Sequence, residues 1–197
     1  MLQGVIFDMD GTLIDSQLDF EAMRLEMELT SELRILEAIA QLPPDRAARC
    51  HAILEQHELE GARLATLLPG VRTLLDELTR RQIKQGVATR NSRRTTTKML
   101  SKLGLDFEIV LTREDGPIKP DPWPVRHICE QWGFSPHNVV MIGDYRFDVD
   151  SGRAAGAHTV ILTHAVHPRE YPNDEGADLI IRSLAETDRL LAWLETI

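Results

Sequence analysis

Two aspartates, Asp8 and Asp10, follow an apolar run from Leu2 to Phe7. Alternation along a strand points both side chains in the same direction, and Gly11 allows the chain to turn sharply directly after them. Two carboxylates buried at the end of an apolar strand are costly unless a cation or a shared proton compensates. The pattern therefore indicates chemistry at the carboxyl end of a strand, where α/β folds usually place it. The alternative is an ordinary turn rich in Asp and Gly.

A second segment places a hydroxyl group at the end of another apolar strand. Thr89 follows Val87 and Ala88, and a helix is predicted to begin at Asn91 or Ser92. A hydroxyl group and the free backbone N–H groups of a helix N-terminus are suited to binding phosphate. The alternative is a plain helix N-cap without a ligand.

Three cationic side chains lie near or beyond this helix start. Arg93 and Arg94 fall in the first predicted turn, where cations oppose the helix dipole, so they either attract an anion or pair with acids. Lys119 lies in Ile118 to Pro122, a loop that two prolines stiffen. A rigidly held ammonium group is a good phosphate clamp, although a single lysine is more often a solvated surface residue.

A fourth segment repeats the strand-then-acid pattern of the first. Val139 to Ile142 is an apolar run followed by a glycine and Asp144, and Asp148 lies one helical turn further on. Together with Asp8, these acids offer the hard oxygen ligands that Mg²⁺ prefers. Helix capping is the alternative for Asp144, and Asp150 is predicted to be a solvated helix residue.

The composition argues against several classes of protein. The chain has 197 residues and a formal net charge of -9, which disfavours binding to nucleic acid or to an anionic membrane surface. Its two cysteines, Cys50 and Cys129, form neither a disulfide framework nor a zinc-binding pattern, which favours a reducing compartment. We expect no signal peptide before Asp8 and find no apolar run long enough to cross a bilayer. A cytoplasmic protein is therefore expected.

Strands and helices are predicted to alternate along the chain. Apolar runs predict strands at Val5 to Phe7, Gly86 to Ala88, Ile109 to Leu111, Val139 to Ile142, Thr159 to Leu162 and Leu179 to Ile181. Amphipathic stretches predict helices at Val71 to Arg81, Thr95 to Leu103, Pro122 to Trp132, Val149 to Ala155 and Leu184 to Leu194. Because the strands are apolar on both faces, this pattern predicts an α/β fold in which helices cover both faces of a parallel sheet.

The stretch from about residue 15 to 68 breaks the alternation, because it contains no strand candidate. Two helices are predicted there, one ended by Pro43 and Pro44 and the next beginning near Asp45. Their inward positions are expected at Ala22, Leu25, Leu29, Leu33, Leu36 and Ala40, and at Ala48, Ile53 and Leu54. The sequence thus predicts a core domain of residues 1–14 and 69–197, and a small all-α cap of residues 15–68 that covers the functional edge. An ordinary crossover is the alternative.

The order of these motifs resembles that of the haloacid dehalogenase superfamily of phosphohydrolases. The resemblance rests on Asp8-Met9-Asp10-Gly11-Thr12-Leu13, Thr89, Lys119-Pro120, and Gly143-Asp144 with Asp148, and it spans nearly the whole chain. The segments around Lys119 and Asp144 are most similar to the phosphoglycolate phosphatase-like branch. The resemblance implies a Rossmann-like parallel sheet with an inserted all-α cap. It also implies a Mg²⁺-dependent phosphatase that acts on a small phosphate monoester.

Two positions depart from the family pattern. Arg90 stands between the hydroxyl residue and Asn91, where the family often has the Asn directly, and Tyr145 stands where a small hydroxyl residue is usual. The cap is also shorter than in typical phosphoglycolate phosphatases.

The resemblance and the residue types imply the same catalytic roles for the first two aspartates. Asp8 is expected to attack phosphorus and form an aspartyl phosphate. Asp10 is expected to protonate the leaving alcohol and then to deprotonate the hydrolytic water. Two unit charges about 4 Å apart repel by roughly 4 kcal/mol at an effective dielectric constant near 20, or about three decades in rate. Mg²⁺ is expected to cancel this repulsion between Asp8 and the phosphate.

The resemblance also implies binding residues. The residues expected to hold Mg²⁺ are Asp8, Asp10 through its backbone carbonyl, Asp144 and Asp148. The residues expected to bind the substrate phosphate are Thr89, Arg90, Asn91 and Lys119. In the cap, the candidates for substrate recognition are Phe20, Arg24, Arg46, Arg49 and Arg63.

Other functions share these residues. A phosphomutase has the same core chemistry and differs in the exclusion of water by the cap. A dehalogenase needs neither Mg²⁺ nor an acid at Asp10. A receiver-like signalling domain also uses a phospho-accepting Asp, a hydroxyl residue and a Lys, but its acids are usually adjacent and it has no helical insert. A silent binding module is a further alternative, and the sequence does not indicate an oligomeric state.

Overall fold

A computed structural model describes residues 1–30, 33–163 and 176–197 of the chain. The strands, in chain order, are β1 (Gly4–Phe7), β2 (Ile14–Asp15), β3 (Thr66–Leu67), β4 (Lys84–Ala88), β5 (Ile109–Leu111), β6 (Val139–Gly143), β7 (His158–Leu162) and β8 (Leu179–Ile181). The helices are α1 (Phe20–Glu26), α2 (Ile35–Ile39), α3 (Pro44–Leu64), α4 (Val71–Arg80), α5 (Arg93–Leu103), α6 (Trp123–Trp132), α7 (Arg146–Ala155) and α8 (Thr187–Leu194).

Six of these strands form one sheet in the order β5-β4-β1-β6-β7-β8. Every neighbouring pair in the sheet is parallel. Each of the six apolar runs found in the sequence corresponds to one strand, so the predicted parallel α/β sheet is confirmed. The chain runs from β1 to β4 and β5 on one side, and then returns to β6 on the other side of β1.

Helices bury both faces of the sheet because successive strand residues point to opposite sides. On one face, Val5 and Phe7 of β1 pack in a cluster with apolar residues of α4, α5 and α8. On the other face, Ile6 packs with apolar residues of α6. Complete burial of these three consecutive residues explains why the strand is apolar throughout and shows no alternation.

The chain leaves and re-enters the core through a second, two-stranded sheet. In it, β2 and β3 pair antiparallel, with Ile14 opposite Leu67 and Asp15 opposite Thr66. The expectation that residues 15 to 68 contain no strand is therefore wrong, because strands of two residues have no apolar run that a sequence pattern can detect. Between β2 and β3 lie α1, α2 and α3, whose own apolar cluster includes Met23, Ile39 and Leu54.

The sequence predicts one continuous first helix in the insert, and this prediction is wrong both in the extent of the helix and in its buried face. The apolar residues at helical spacing belong to two separate short helices, α1 and α2. The buried face of α1 therefore does not continue along α2. Four of the expected inward residues are exposed, namely Ala22, Leu25, Leu33 and Ala40, while Leu29 and Leu36 are partly buried. The buried apolar residues of α1, α2 and the turn after α1 are Met23, Met27, Ile35, Ala38 and Ile39. In α3, Leu54 is buried and Ile53 partly so, as expected, but Ala48 is exposed.

Candidate active site

Three strand ends meet where the chain changes direction across the sheet. Asp8 follows β1, Thr89 follows β4 and Asp144 follows β6, and β4 and β6 are the two neighbours of β1. Open parallel sheets bind ligands in the crevice at such a switch point. The backbone N–H of Asp8 donates to the carbonyl of Ile142 at 2.8 Å, which extends the β1–β6 ladder to the first aspartate.

A tight turn brings Asp144 against the loop that follows Asp8. Gly11 has a φ of 78°, and a Cβ at this position would lie 2.2 Å from Oδ2 of Asp144. Its N–H donates to the carbonyl of Ile14 at 2.8 Å, and the N–H of Ile14 donates to the carbonyl of Met9 at 3.0 Å. Glycine is therefore needed here both for its backbone conformation and for the space that it leaves beside the Asp144 carboxylate.

Three carboxylates converge in this crevice. Asp8, Asp144 and Asp148 each offer an oxygen, and these oxygens all lie within 4.8 Å of one another. Asp148 lies in the first turn of α7, where its Oδ2 accepts a hydrogen bond from the Tyr145 N–H at 3.0 Å. The structure thus places three of the predicted metal ligands together, whereas the side chain of Asp10 is not part of this cluster.

Lys119 supplies the positive charge next to this cluster. Its Nζ lies 2.6 Å from Oδ1 of Asp8 and 2.6 Å from Oδ1 of Asp148. Only 2% of the residue is exposed, so it is not the solvated surface lysine of the alternative interpretation. Burial alone would lower the pKa of Lys119, but the carboxylates of Asp148 and Asp8 outweigh it and raise this pKa. The ammonium group is therefore held charged between two acids.

Asp10 lies beside the cluster in a different environment. Its Oδ2 accepts a hydrogen bond from Nδ2 of Asn91, while its buried Oδ1 has no hydrogen-bond partner among the described residues. The pKa of Asp10 is raised to about 7, mainly because the carboxyl group is buried. The negative charges of Asp8 and Glu58 also raise this pKa, whereas hydrogen bonding by the Ser16 side chain lowers it. A carboxyl group that titrates near neutrality is suited to both donating and accepting a proton.

The segment after β4 begins helix α5 as the sequence predicts. Ser92 is the N-cap, and its side chain accepts a hydrogen bond from the Thr95 N–H at 3.2 Å. Thr89 is buried, and its Oγ1 accepts from the Asn91 N–H at 3.2 Å. Arg93 pairs with Asp115, and Arg94 pairs with Glu55. Of the two possibilities for these arginines, pairing with acids is the one that the structure shows.

Ion pairs between the insert and the core surround the crevice, and the sequence analysis missed them. Glu37 of α2 lies 2.5 Å from Arg90, and Glu58 of α3 pairs with Arg113. Glu58 is only 4% exposed, which is exceptional for an acid in a helix of the insert. No local pattern identifies such pairs, because the partners lie 53 and 55 positions apart in the chain.

The insert also contacts the residue that departs from the family pattern at the end of β6. The guanidinium of Arg34 lies 4.2 Å from the centre of the Tyr145 ring and donates a hydrogen bond to its hydroxyl group. Three of the four arginines expected to recognise substrate contact the insert itself, and the fourth, Arg49, is exposed. Arg24 and Arg46 donate to the carbonyls of Leu33 and Glu28. Arg63 pairs with Glu60, and Phe20 is 51% exposed.

A cavity of about 580 Å³ separates α2 from the loop that carries Lys119. Its walls are Leu36, Glu37 and Ala40 on one side, and residues Ile118 to Asp121 on the other. Lys119 links the cavity to the carboxylate cluster, because it lines the cavity and contacts Asp8. The size of the cavity suits a small molecule.

A Rossmann-like sheet with acids at its switch point and a helical insert defines a class of phosphohydrolase folds, and comparisons with known proteins agree. The family described as haloacid dehalogenase-like hydrolase matches residues 17–162. A haloacid dehalogenase-like hydrolase domain-containing protein of Arabidopsis thaliana is 35% identical over 173 residues, covering 82% of this chain and 71% of that protein. The chain therefore belongs to the haloacid dehalogenase-like hydrolases.

Two further proteins show the range of this similarity. An N-acetylmuramic acid 6-phosphate phosphatase of Pseudomonas aeruginosa is 31% identical over 204 residues, covering 91% of this chain and 90% of that protein. The crystal structure of a predicted phosphoglycolate phosphatase from Haemophilus somnus has a TM-score of 0.78 at 21% identity, covering 96% of this chain and 98% of that one. None of the helices in the described ranges has the length and apolar character needed to span a membrane.

Proposed function

We propose that this protein is a Mg²⁺-dependent phosphatase that hydrolyses a small phosphate monoester through an aspartyl phosphate on Asp8. One observation carries the proposal: Asp8, Asp144 and Asp148 converge around buried Lys119, with Asp10 beside them. Membership of the hydrolase family supports hydrolysis, and it disfavours the receiver-like signalling domain.

The carboxylate cluster fits a divalent cation. Asp8, Asp144 and Asp148 provide only oxygen ligands, which Mg²⁺ prefers, and their charges exceed the single positive charge of Lys119. The missing side chain of Gly11 leaves the space that the Asp144 carboxylate occupies. Asp10 is expected to contribute its backbone carbonyl. When bound, the cation supplies positive charge that offsets the repulsion between Asp8 and the phosphate dianion.

In the proposed mechanism, Asp8 is the nucleophile and Asp10 is the general acid and base. In the proposed mechanism a carboxylate oxygen of Asp8 attacks phosphorus, the bond to the alcohol oxygen breaks, and Asp10 gives that oxygen its proton. Asp10 then takes a proton from water as the water attacks the phosphorus of the aspartyl phosphate, which releases phosphate and restores Asp8. The pKa of Asp10 near 7 supports both directions of proton transfer.

The phosphoryl oxygens are expected to be held by groups that surround Asp8. The ammonium group of Lys119 contacts Asp8 and can turn towards a phosphoryl oxygen. Thr89 and Asn91 lie at the neighbouring strand end, where the hydroxyl group and the side-chain amide are donors. Arg90 is directed towards Glu37 and the Lys119 carbonyl, so we propose an indirect role for it below.

The substrate is proposed to be a small phosphate ester because the cavity beside Lys119 has room for a small leaving group. Relatives named for N-acetylmuramic acid 6-phosphate and for phosphoglycolate agree with this size. A phosphomutase remains the second candidate, and product analysis separates the two: free phosphate indicates a hydrolase, and an isomerised sugar phosphate indicates a mutase.

We also propose the division into a core of residues 1–14 and 69–197 and a cap of residues 15–68, which the β2–β3 pair at the crossing points supports.

The direct test is Asp8→Asn with p-nitrophenyl phosphate as the probe. Wild type is expected to release phosphate only when Mg²⁺ is present, and Asp8→Asn is expected to lose nearly all turnover while its thermal unfolding stays cooperative. Asp150→Asn is the matched control, because Asp150 is half-exposed on α7 and its one ion pair within the described residues is with Arg146. Substantial Mg²⁺-dependent turnover by Asp8→Asn would contradict the nucleophile assignment.

A further inference from the structure

Among the described residues, the cavity beside Lys119 is lined by two acids and by one cation, which is already paired. Its charged lining residues are Glu37, Asp121 and Lys119. Lys119 is already bound to Asp8 and Asp148, and Asp121 accepts a hydrogen bond from the Trp123 N–H at 2.8 Å. A negatively charged leaving group would therefore meet like charges there without a cation to receive it.

Arg90 is the cation nearest to Glu37, and three contacts occupy it. Its Nη2 lies 2.5 Å from Oε1 of Glu37, and its Nη1 donates to the carbonyl of Lys119 at 3.2 Å. Its guanidinium also lies 4.7 Å from the centre of the Phe147 ring. These contacts fix Arg90 between the cap and the core, so its guanidinium is held at Oε1 of Glu37 and is not directed to a leaving group.

Glu37 itself retains an unused acceptor at the cavity. Its Oε1 is bound to Arg90, whereas its buried Oε2 has no hydrogen-bond partner among the residues that the structure describes. A buried carboxylate oxygen without a donor is unfavourable, and rotation of the half-buried Glu37 side chain towards a donor on a bound molecule would relieve this. The rest of the wall from α2, Leu36 and Ala40, is apolar and offers no polar alternative.

We infer that Glu37 is a specificity residue that selects phosphate esters whose leaving group is uncharged and carries a hydroxyl or amide donor, and that Arg90 is a positioning residue that holds Glu37. This inference rests on the proposed phosphatase function and names its substrate class. It disfavours carboxylate-bearing esters such as 2-phosphoglycolate, because recognition by Glu37 includes rejection of a second anion.

The experiment compares three esters of nearly equal size: 2-hydroxyethyl phosphate, 2-phosphoglycolate and propyl phosphate. Wild type is expected to hydrolyse 2-hydroxyethyl phosphate with a kcat/KM at least about tenfold above the other two. Glu37→Gln removes the negative charge and leaves Arg90 uncompensated. We expect it to shift the ratio of hydroxyl to carboxylate ester by about tenfold towards 2-phosphoglycolate, mainly through KM.

Glu55→Gln is the matched control variant. Glu55 also joins the cap to a core arginine, Arg94, at 2.5 Å, but Arg94 is exposed, Glu55 is about half-exposed, and neither residue lines the cavity. This variant is expected to keep the wild-type ratio, which separates the loss of a cap ion pair from a change in recognition. The double variant Glu37→Gln/Arg90→Gln is expected to lose the gain on 2-phosphoglycolate, and a gain that persists would overturn the role of Arg90.

Two results would overturn the role of Glu37. One is a wild-type preference for 2-phosphoglycolate, and the other is an ester ratio in Glu37→Gln within twofold of wild type. Mg²⁺-dependent hydrolysis of p-nitrophenyl phosphate is measured in parallel for every variant. If wild type hydrolyses neither p-nitrophenyl phosphate nor any of the esters, the proposed phosphatase function fails; if it hydrolyses p-nitrophenyl phosphate but shows no preference for 2-hydroxyethyl phosphate among the esters, only this inference fails.

Discussion

Replacing Lys119 with methionine removes the only positive charge that contacts both Asp8 and Asp148 in the described part of the chain. Methionine keeps the length and apolar stem of the side chain, so the change is mainly electrostatic. In metal-free protein the three carboxylates of the cluster are then left close together without a compensating cation. We expect the folded state to be strongly destabilised as a result.

The size of this effect follows from the geometry. At 2.6 Å and an effective dielectric constant near 20, each contact of Lys119 with a carboxylate is worth about 6 kcal/mol before desolvation is subtracted. Burying the ammonium group consumes much of this attraction, and breaking buried ion pairs usually costs about 3 to 5 kcal/mol. We expect a loss in that range, which is a large part of the roughly 5 to 15 kcal/mol that stabilises a typical domain.

The assay is urea unfolding in the presence of a chelator, followed by the same titration with Mg²⁺. Lys84→Met is the matched control, because Lys84 contacts Glu108 at 2.8 Å but both side chains are exposed. Its expected loss is below about 1 kcal/mol. Mg²⁺ is expected to stabilise Lys119→Met more than wild type, since it replaces the missing charge. A loss in Lys119→Met no larger than that in Lys84→Met would refute the reasoning.

Two further predictions concern the loop that contains Asp10. Because the Asp10 pKa is about 7 in the folded protein and 3.8 as its ordinary value, its favourable contribution is complete below about 3.8 and is lost as pH rises towards 7. In metal-free protein, the unfolding free energy of wild type relative to Asp10→Asn is expected to fall by up to about 4 kcal/mol across this interval, measured by urea unfolding; no pH dependence in this difference would contradict it. Gly11→Ala places a Cβ 2.2 Å from Asp144, whereas Gly133→Ala shares the positive φ but meets nothing within 4 Å. Gly11→Ala is therefore expected to raise the Mg²⁺ concentration needed for half-maximal activity at least about tenfold, with Gly133→Ala as the control, and equal effects in both would mean that backbone strain alone is responsible.

The sheet could be predicted because each of its strands is an apolar run that needs no distant information. Residues such as Val5, Ile6 and Phe7 are buried on both faces, so they give a continuous signal that is bounded by turns. The acids at the strand ends could be predicted for the same reason, since the edge of a parallel sheet gathers the residues that follow each strand. Lys119 lies in a loop between β5 and α6, so no strand pattern locates it. Only its Lys-Pro motif predicts its role.

The insert was predicted less well because its helices are short and its contacts are distant. A stripe at helical spacing joined α1 and α2 into one helix and placed the exposed Leu25 inside. The cap residues that approach the crevice, Glu37 and Glu58, are acids within helices, a type that is usually solvated. Their partners Arg90 and Arg113 lie in loops of the core, so only the folded chain brings these charges together.

The antiparallel pairing of β2 with β3 has an evolutionary consequence. The two points where the helical insert joins the core are hydrogen-bonded to each other, with Ile14 opposite Leu67, so they form one closed base. An insert of a different length or fold can join the core at these two paired strands without changing how β1 pairs with its neighbouring strands. Relatives can thus differ in the insert while the carboxylates that follow β1 and β6 stay in place.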